Sequence, residues 1–361
     1  MAITFGSASA PSQKTTNFDA VFTASLANHR RTLADNISTN NALWLMIKRS
    51  GNYVSVDGGT NIEVPLMYAM GNAASYSSYD VLGTDPIEGI TKAIFEWRQV
   101  SIPVTISWFE ERQNAQKVLD LLATKIKQAE LGLQDYFGQS LLRGQLANGG
   151  SGSIETAHTN VLNGSLALTP LANLIQKDPT SSENVGNINQ STSSWWQNQT
   201  DSSSASTITA FLLEMETMYN NCSNGPGGPP DLIITDQTTF ELLKIAMYHR
   251  TRHEMGTDIK FPFENVIFRR AKVVYDEFMP DVQNDTITPS SGKGTVYMIN
   301  SQFFNVTYDT QGNFRHRPFS TPDNQDARVS HIFWMGNTTV NNRRKHGVLY
   351  NIARTLTIGD A

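Results

Sequence analysis

The side chains able to do chemistry are few, and their spacing does not assemble a reaction. His249 and His253 have the i, i+4 spacing that places two imidazoles on one helix face, the arrangement of a helical metal pair. A metalloprotease helix needs Glu directly after the first His. Arg250 stands there, with Arg252 close by, and two guanidinium groups repel a cation. Glu110 and Glu111 are adjacent carboxylates at the start of a helical pattern, where the macrodipole favours negative charge, so a helix-end role accounts for them without acid–base catalysis. Gly225–Pro230 reads GPGGPP, too proline-rich to cradle a phosphate before a helix, and no G-x-S-x-G nucleophile elbow occurs. Arg343, Arg344, Lys345 and His346 form the densest basic run, read either as a solvated turn or as a patch for acidic groups on a neighbour. His29, Arg30 and Arg31 form a smaller one, read as a solvated helix end or a contact with DNA or a scaffold. The sequence therefore offers no catalytic residue, no cofactor-binding residue and no metal site, and the expectation is a protein that is not an enzyme.

Composition points the same way. The chain has 361 residues, with 17% charged, below the usual quarter. Asn, Ser, Thr, Gly and Gln make up the difference. A surface short of charge suits a protein whose faces are covered by copies of itself; a polar secreted or mildly halotolerant protein is the lesser alternative. The net charge of −5 argues against a phosphate-gripping, sequence-reading protein, while a shell that encloses DNA need not grip it. The single cysteine, Cys222, excludes an intrachain disulfide and fits a reducing cytoplasm. No secretory pattern follows Met1, and no run of eighteen apolar residues occurs.

The elements that would position side chains centre on Tyr53–Leu142. Tyr53–Tyr68 and Lys92–Ser107 alternate with period two, which predicts two long strands around a polar tip, Ala69–Thr91. Ile62, Val64, Leu66 and Tyr68 share one face. Ile94 through Ile106, every second residue, share one face of the second segment, opposite Ala93, Phe95 and Trp97. Pro65 cannot donate to a ladder and marks an edge. Strands of that length reach about 50 Å at ~3.3 Å per residue, and an isolated ribbon that long is marginal in water. It needs a surface, and a neighbouring copy is the expected one. Glu110–Leu142 predicts a long helix with Val118, Leu122, Ile126, Ala129, Leu133, Phe137 and Leu141 as its apolar stripe. Gly132 and Gly138 inside it imply close packing.

This ribbon, written SVDGGTNIEVPLMYA and YSSYDVLGTDPIEGITKAIFEWRQVSIPVTIS, and the helix carrying EERQNAQKVLDLLATKIKQAE resemble the major capsid proteins of tailed bacteriophages, which share the HK97-type fold. The likeness extends to WWQNQT at Trp195–Thr200 and WMGNTTVNNRRKHGVLYNIA at Trp334–Ala353. It implies an α+β fold with an extended β-hairpin arm (the E-loop) reaching over the adjacent subunit, a long spine helix, and peripheral and axial domains. The implied division is an N-terminal arm over 1–50, the E-loop over 51–108, and a peripheral domain with spine helix and polar connection over 109–205. The axial domain follows over 206–300, with the peripheral return over 301–361. The subunit-interface candidates are Glu63, Tyr76, Tyr79, Asp80, Lys92, Trp97, Arg98, Arg343 and Arg344. Some capsids of this fold carry a Lys–Asn cross-link; Lys92 is the lysine near the arm's tip, and no partner asparagine is assigned.

The implied function is a structural protein that self-assembles, as hexamers and pentamers, into an icosahedral head shell around double-stranded DNA in the virion. The implied partners are copies of itself, a portal, a possible decoration protein and a scaffold. The start at Met1 makes a separate scaffolding protein the expectation. Competing readings are an encapsulin-like compartment of the same fold, a hydrolase with an unrecognised site, and a tail-tube or fibre protein.

The rest of the chain reads in order. Phe18–Leu33 and Asn40–Arg49 are weak helices. Arg143–Ser206 is polar and little patterned, anchored by Trp195 and Trp196. Thr207–Asn220 is a helix with Ile208, Phe211, Leu212, Met215 and Met218 on one face. Asp231–Thr235 is a buried strand, and Asp236 caps the helix Gln237–His249. Strands follow at Val266–Tyr275 and Gly294–Ile299, with a polar tract Asp281–Lys293 between them. Ala327–Val340 and Lys345–Thr357 are two strands joined across Asn341–Arg344.

Overall fold

The computed structural model describes residues 42–71, 73–81, 88–113, 121–143, 167–248, 266–276, 278–279, 293–323 and 325–357. Helix α1 (Ala42–Arg49) leads to strands β1 (Tyr53–Val56), β2 (Ile62–Met67), β3 (Ile90–Phe95) and β4 (Arg98–Ser107), then to α2 (Trp108–Gln113) and α3 (Leu121–Arg143). The polar connection carries α4 (Leu171–Leu174), β5 (Asn184–Val185), β6 (Ile188–Asn189) and β7 (Gln199–Ser202). Then come α5 (Ile208–Ser223), β8 (Leu232–Thr235), α6 (Gln237–Tyr248), β9 (Val266–Phe268), β10 (Ala271–Tyr275) and β11 (Lys293–Ile299). The chain closes with β12 (Phe304–Asp309), β13 (Arg315–His316), β14 (Ala327–Val340) and β15 (Gly347–Ala353).

A six-stranded mixed sheet has the order β7-β15-β11-β8-β10-β9. All four residues of β8 are buried, as a central strand covered on both faces requires. Helices α5 and α6 close a core of Phe211, Met215, Met218, Leu243, Val273 and Met298. Both helices start on side-chain caps. Thr207 accepts from the Ala210 N–H, and Asp236 accepts from the Thr239 N–H at 3.4 Å and its hydroxyl at 2.6 Å. The second sheet, five-stranded, has the order β1-β12-β14-β13, with β4 also on β14. The chain divides into two compact units, one containing Ile102–Leu133 and His316–Ile332, the other containing Thr39–Ser101, Gln134–Arg315 and Phe333–Ala361.

The two uninterrupted strands expected in the arm are each broken. Gly58 and Gly59 take φ of +61° and +101°, a left-handed turn that ends β1. Thus β1 leaves the ribbon and pairs in parallel with β12, Tyr53 opposite Val306. In the second segment Glu96 and Trp97 interrupt the ladder. The buried face changes phase there: Ala93 and Phe95 are buried in β3, but Val100, Val104 and Ile106 in β4. Ala327–Val340 and the strand after it also do not pair. β14 belongs to the five-stranded sheet and β15 to the six-stranded one, so the short link between them crosses from sheet to sheet. The six-stranded sheet draws β7 and β15 from outside the 206–300 block. The polar connection, expected to be loosely patterned, is built from 167 onward, with Trp196 fully buried.

Of the expected helix Glu110–Leu142, the described parts are α2 and α3. Ala129, Leu133, Phe137 and Leu141 form the buried stripe. A Cβ on Gly132 would stand 3.1 Å from Ile102 Cδ1, the close packing its glycine allows. Val118, the helix Phe18–Leu33, His29–Arg31, His249, His253 and residues 281–292 lie outside the described residues.

Phe137 is the centre of an aromatic cluster. Trp44 stacks on it at 4.8 Å and 4° between planes, and Trp334 meets it edge-on at 4.8 Å. The Trp334 indole N–H donates to the Tyr53 hydroxyl at 2.8 Å, which donates to Asn313 Oδ1 at 2.7 Å. Burial pushes the Tyr53 phenol up to about 12, the Trp334 bond opposing and Tyr308 adding to it. Phe137→Ala is expected to cost about 3–5 kcal/mol, the range for deleting a buried aromatic ring. Denaturant unfolding reads it, and a loss under about 1 kcal/mol would show that this cluster does not anchor the helix.

Candidate assembly interface

The arm is a two-stranded ribbon in which Ile62 pairs with Phe95 and Met67 with Ile90. Six residues per strand span about 20 Å, not the expected 50 Å. Its apolar face, Ile62, Leu66, Ala93 and Phe95, is buried by its own chain. The Ile94 N–H donates to the Gly186 carbonyl at 2.9 Å. Gly186, at φ +61°, lies so near that a Cβ there would stand 2.9 Å from the Ala93 methyl. Tyr68 stacks on Trp195 at 5.2 Å. The surface under the ribbon's root is therefore the polar connection of the same chain, which corrects the expectation that only a neighbouring copy could supply it.

The outer part is left uncovered. Tyr79 is 98% exposed and Val81 97%, and Met67, Met70, Tyr76 and Ile90 are also exposed. Local bonds present these side chains outward. The Ser77 N–H donates to Asp80 Oδ2 at 2.7 Å and the Asp80 N–H to the Ser77 carbonyl at 2.9 Å, closing a turn that carries Tyr79. The sequence reading named Tyr76, Tyr79 and Asp80 but passed over Met70, Val81 and Ile90. Their signal was apolar residues inside an otherwise polar tip.

The other arm candidates are engaged at home. Lys92 Nζ lies 2.7 Å from Glu63 Oε1 across the ribbon, both half-exposed, a pair worth at most about 1 kcal/mol. The Trp97 indole donates to the Gly59 carbonyl at 3.0 Å, and Arg98 pairs with Glu96 at 3.1 Å. Asn337 of β14 pins the arm's root. Its Nδ2 donates to the Glu96 carbonyl at 2.8 Å while its Oδ1 accepts from the Thr169 N–H at 3.0 Å.

The basic run is neither a solvated turn nor, at Arg343, a surface patch. Arg344 is exposed, but Arg343, Lys345 and His346 are buried. Arg343 donates through Nε to the Leu174 carbonyl at 2.7 Å and through Nη2 to Asn198 Oδ1 at 3.0 Å. Its Nη1 reaches Gln190 Oε1 at 2.9 Å and the Trp196 carbonyl at 3.1 Å. Burial pushes this guanidinium down to about 9, the Glu183 charge opposing, so it remains a cation at neutral pH. Lys345 Nζ donates to the carbonyls of Ser223, Asn224, Gly225 and Gly228 at 2.9–3.3 Å. A cation there satisfies the Ser223 and Asn224 carbonyls where α5 ends, with two of the loop that follows, and meets the negative end of the helix dipole. Burial, and next the Arg343 charge, push His346 down to about 3, against the Phe303 backbone. His346 is therefore neutral, and its Nδ1 accepts the Asn300 N–H at 3.3 Å.

No protein-family model matches the sequence, and no curated protein matches it. Solved structures do. A chain of the cyanophage A-1(L) capsid asymmetric unit superposes with a TM-score of 0.64 at 11% identity, over 90% of this chain and 96% of that one. The holo-SrpI encapsulin complex from Synechococcus elongatus PCC 7942 gives 0.56 at 10% identity, over 94% and 98%. The capsid of Myoviridae phage XM1 gives 0.53 at 10% identity, over 90% and 96%. The chain thus has the α+β, HK97-type capsid fold.

Two consequences follow for the buried cations. Arg343→Ala takes the guanidinium from four buried acceptors, of which Asn198 Oδ1 keeps the Gln176 N–H, and is expected to cost about 3 kcal/mol or more, with Arg343→Lys recovering less than half, since one ammonium cannot span them. His346 binds a proton when unfolded below about 6.5 but not in the fold until about 3. Its contribution is thus complete above pH 6.5 and is lost as pH falls toward 3. Unfolding of His346→Gln across that window is expected to show a shallower acid loss than the parent; an unchanged slope would assign the acid sensitivity elsewhere.

Proposed function

We propose that this chain is the major capsid protein of a tailed phage, self-assembling into a closed icosahedral head around double-stranded DNA. The observation that carries the reading is an arm tip with Tyr79 and Val81 almost wholly exposed on a chain with the capsid fold. An apolar group held out on a fixed turn is costly to a monomer and useful only when a partner covers it. The partner is another copy, in hexamers and pentamers, and closed symmetry multiplies modest contacts into a stable shell. Of the interface candidates, Tyr76, Tyr79 and Arg344 are exposed, Asp80 closes the turn that carries Tyr79, and the Lys92–Glu63 pair stiffens the ribbon behind them.

The role is structural rather than enzymatic. DNA is enclosed without being read, in keeping with a net charge of −5. A separate scaffolding protein acts during assembly, a portal occupies one vertex, and a decoration protein is a further partner. The chain is made in the host cytoplasm, where a lone buried Cys222 stays reduced, and ends in the virion. A second reading, an encapsulin-like compartment, draws on the fold's likeness to the SrpI shell.

Negative-stain microscopy and sedimentation of the purified chain are expected to show closed particles, or hexamers and pentamers that close when a scaffold is supplied. Nuclease-protected DNA in particles from infected cells selects the capsid reading, and a protein cargo selects the compartment. Tyr79→Asp with Val81→Asp is expected to leave unfolding within about 0.5 kcal/mol, as surface changes do, and to abolish closure. Closure at parental yield would remove the tip from the interface.

A further inference from the structure

Strands β9 and β10 meet in a two-residue turn, Phe268 opposite Ala271, with Arg269 and Arg270 at its corner. Arg269 takes φ +54°, the left-handed backbone that glycine enters freely and most side chains avoid. Its side chain is held by α5. Nη1 donates to Asn220 Oδ1 at 3.2 Å, Nη2 donates to the Glu216 carboxylate, and the guanidinium carbon lies 5.5 Å from the centre of the Tyr219 ring. Arg270 is different. It is exposed and makes no hydrogen bond or ion pair among the described residues. The two arginines, Tyr219 and Pro229 line an open concavity of about 460 Å³, within the size range of small-ligand sites. Glu216 neutralises Arg269, so Arg270 supplies the uncompensated charge. Such a wall takes a planar ring against Pro229 and the Arg269–Tyr219 stack, and a carboxylate against Arg270.

We infer that this concavity receives the Tyr79–Asp80 turn of a second copy. This rests on the shell-protein reading above and adds to it the surface that the arm tip meets. The tip has the matching chemistry. Tyr79 is 98% exposed, and Asp80 beside it uses Oδ2 to close the turn while Oδ1 makes no bond among the described residues. From Tyr68 to Thr91 the sequence carries Asp80, Asp85 and Glu88 and no Lys, Arg or His, so the tip is acidic where the concavity's free charge is positive. The two surfaces are different patches of one chain, which makes the contact head-to-tail, the type that closes into rings. Hexamers and pentamers need that type, whereas a patch that meets itself stops at two copies. A nucleic-acid backbone is the poorer occupant. With Arg269 neutralised one guanidinium is left, and phosphate binding draws on several cations.

The test uses the full chain with the photoreactive analogue p-benzoylphenylalanine in place of Tyr79, which keeps a ring at the tip and joins it under light to what it touches. Isotopically light and heavy chains are mixed before assembly, so a link between copies carries both labels, and mass spectrometry identifies the joined peptides. The expected link runs from position 79 of one copy to the peptides that hold Tyr219, Pro229 or Arg269–Arg270 of another. Arg270→Glu is expected to lower its yield at least tenfold, and Arg270→Lys to keep most of it. The same analogue in place of Tyr76 gives the same partner peptides if the bulk at position 79 blocks the contact. Light–heavy links to any other surface, a second tip included, overturn the assignment, as does the absence of links between copies at both positions. A scaffold joined to the tip in place of a second copy also counts against it. Microscopy of the same samples keeps the two readings apart: shells whose tips link elsewhere overturn this contact alone, and tips linked to the concavity in chains that form neither shells nor capsomers overturn the capsid reading alone.

Discussion

Two buried cations hold the link between the sheets. The link from β14 to β15 crosses from the five-stranded to the six-stranded sheet within six residues, and both of its charged anchors point inward. Arg343 gathers acceptors from α4, from the loop around Gln190 and from the Trp196–Asn198 turn, while Lys345 gathers the carbonyls at the end of α5. Charges in such places are expensive to desolvate, and neutral oxygens compensate only when several converge. The cost has a structural return: each donor ties together segments whose own elements are short or have just ended. In the polar connection one guanidinium links three parts of the chain, beside a buried apolar set that includes Leu168, Leu171, Leu174 and Trp196.

The arm depends on that ordering in turn. Gly186 and Trp195, which carry the ribbon's root, lie in the segment that Arg343 and the Gln190–Gln176 contact hold together. The chain thus divides its ribbon. The root, with Ile62, Leu66, Ala93 and Phe95, is an internal packing surface, and the tip is presented outward on a closed turn. Rigidity behind an exposed apolar tip lowers the ordering cost of an interface, since the side chains are already placed before a partner arrives.

Much of the architecture was legible in the sequence. The stripe Ala129, Leu133, Phe137, Leu141 declared the buried face of the long helix, because a 3.6-residue period has few other causes. Thr207 and Asp236 marked two helix starts, and the unbroken apolar run at Leu232–Thr235 marked a central strand. The capsid-like segment pattern named the fold. Tyr76, Tyr79 and Asp80, named from the polar tip between alternating strands, are exposed there.

The sequence by itself thus determined which residues turn inward within an element, since that depends on neighbours three or four positions away. It could not decide what those elements meet. Whether Tyr53–Val56 continues the arm or joins β12 depends on a partner more than two hundred residues on, and on Gly58 and Gly59 taking the left-handed turn that only they enter freely. Whether Arg343 is solvated or buried depends on oxygens 145–169 residues distant, and a basic run reads the same in either case. Local periodicity encodes the face, and long-range acceptors and sheet pairing decide the environment, so only the tertiary structure turned a presumed surface patch into the clamp between two sheets.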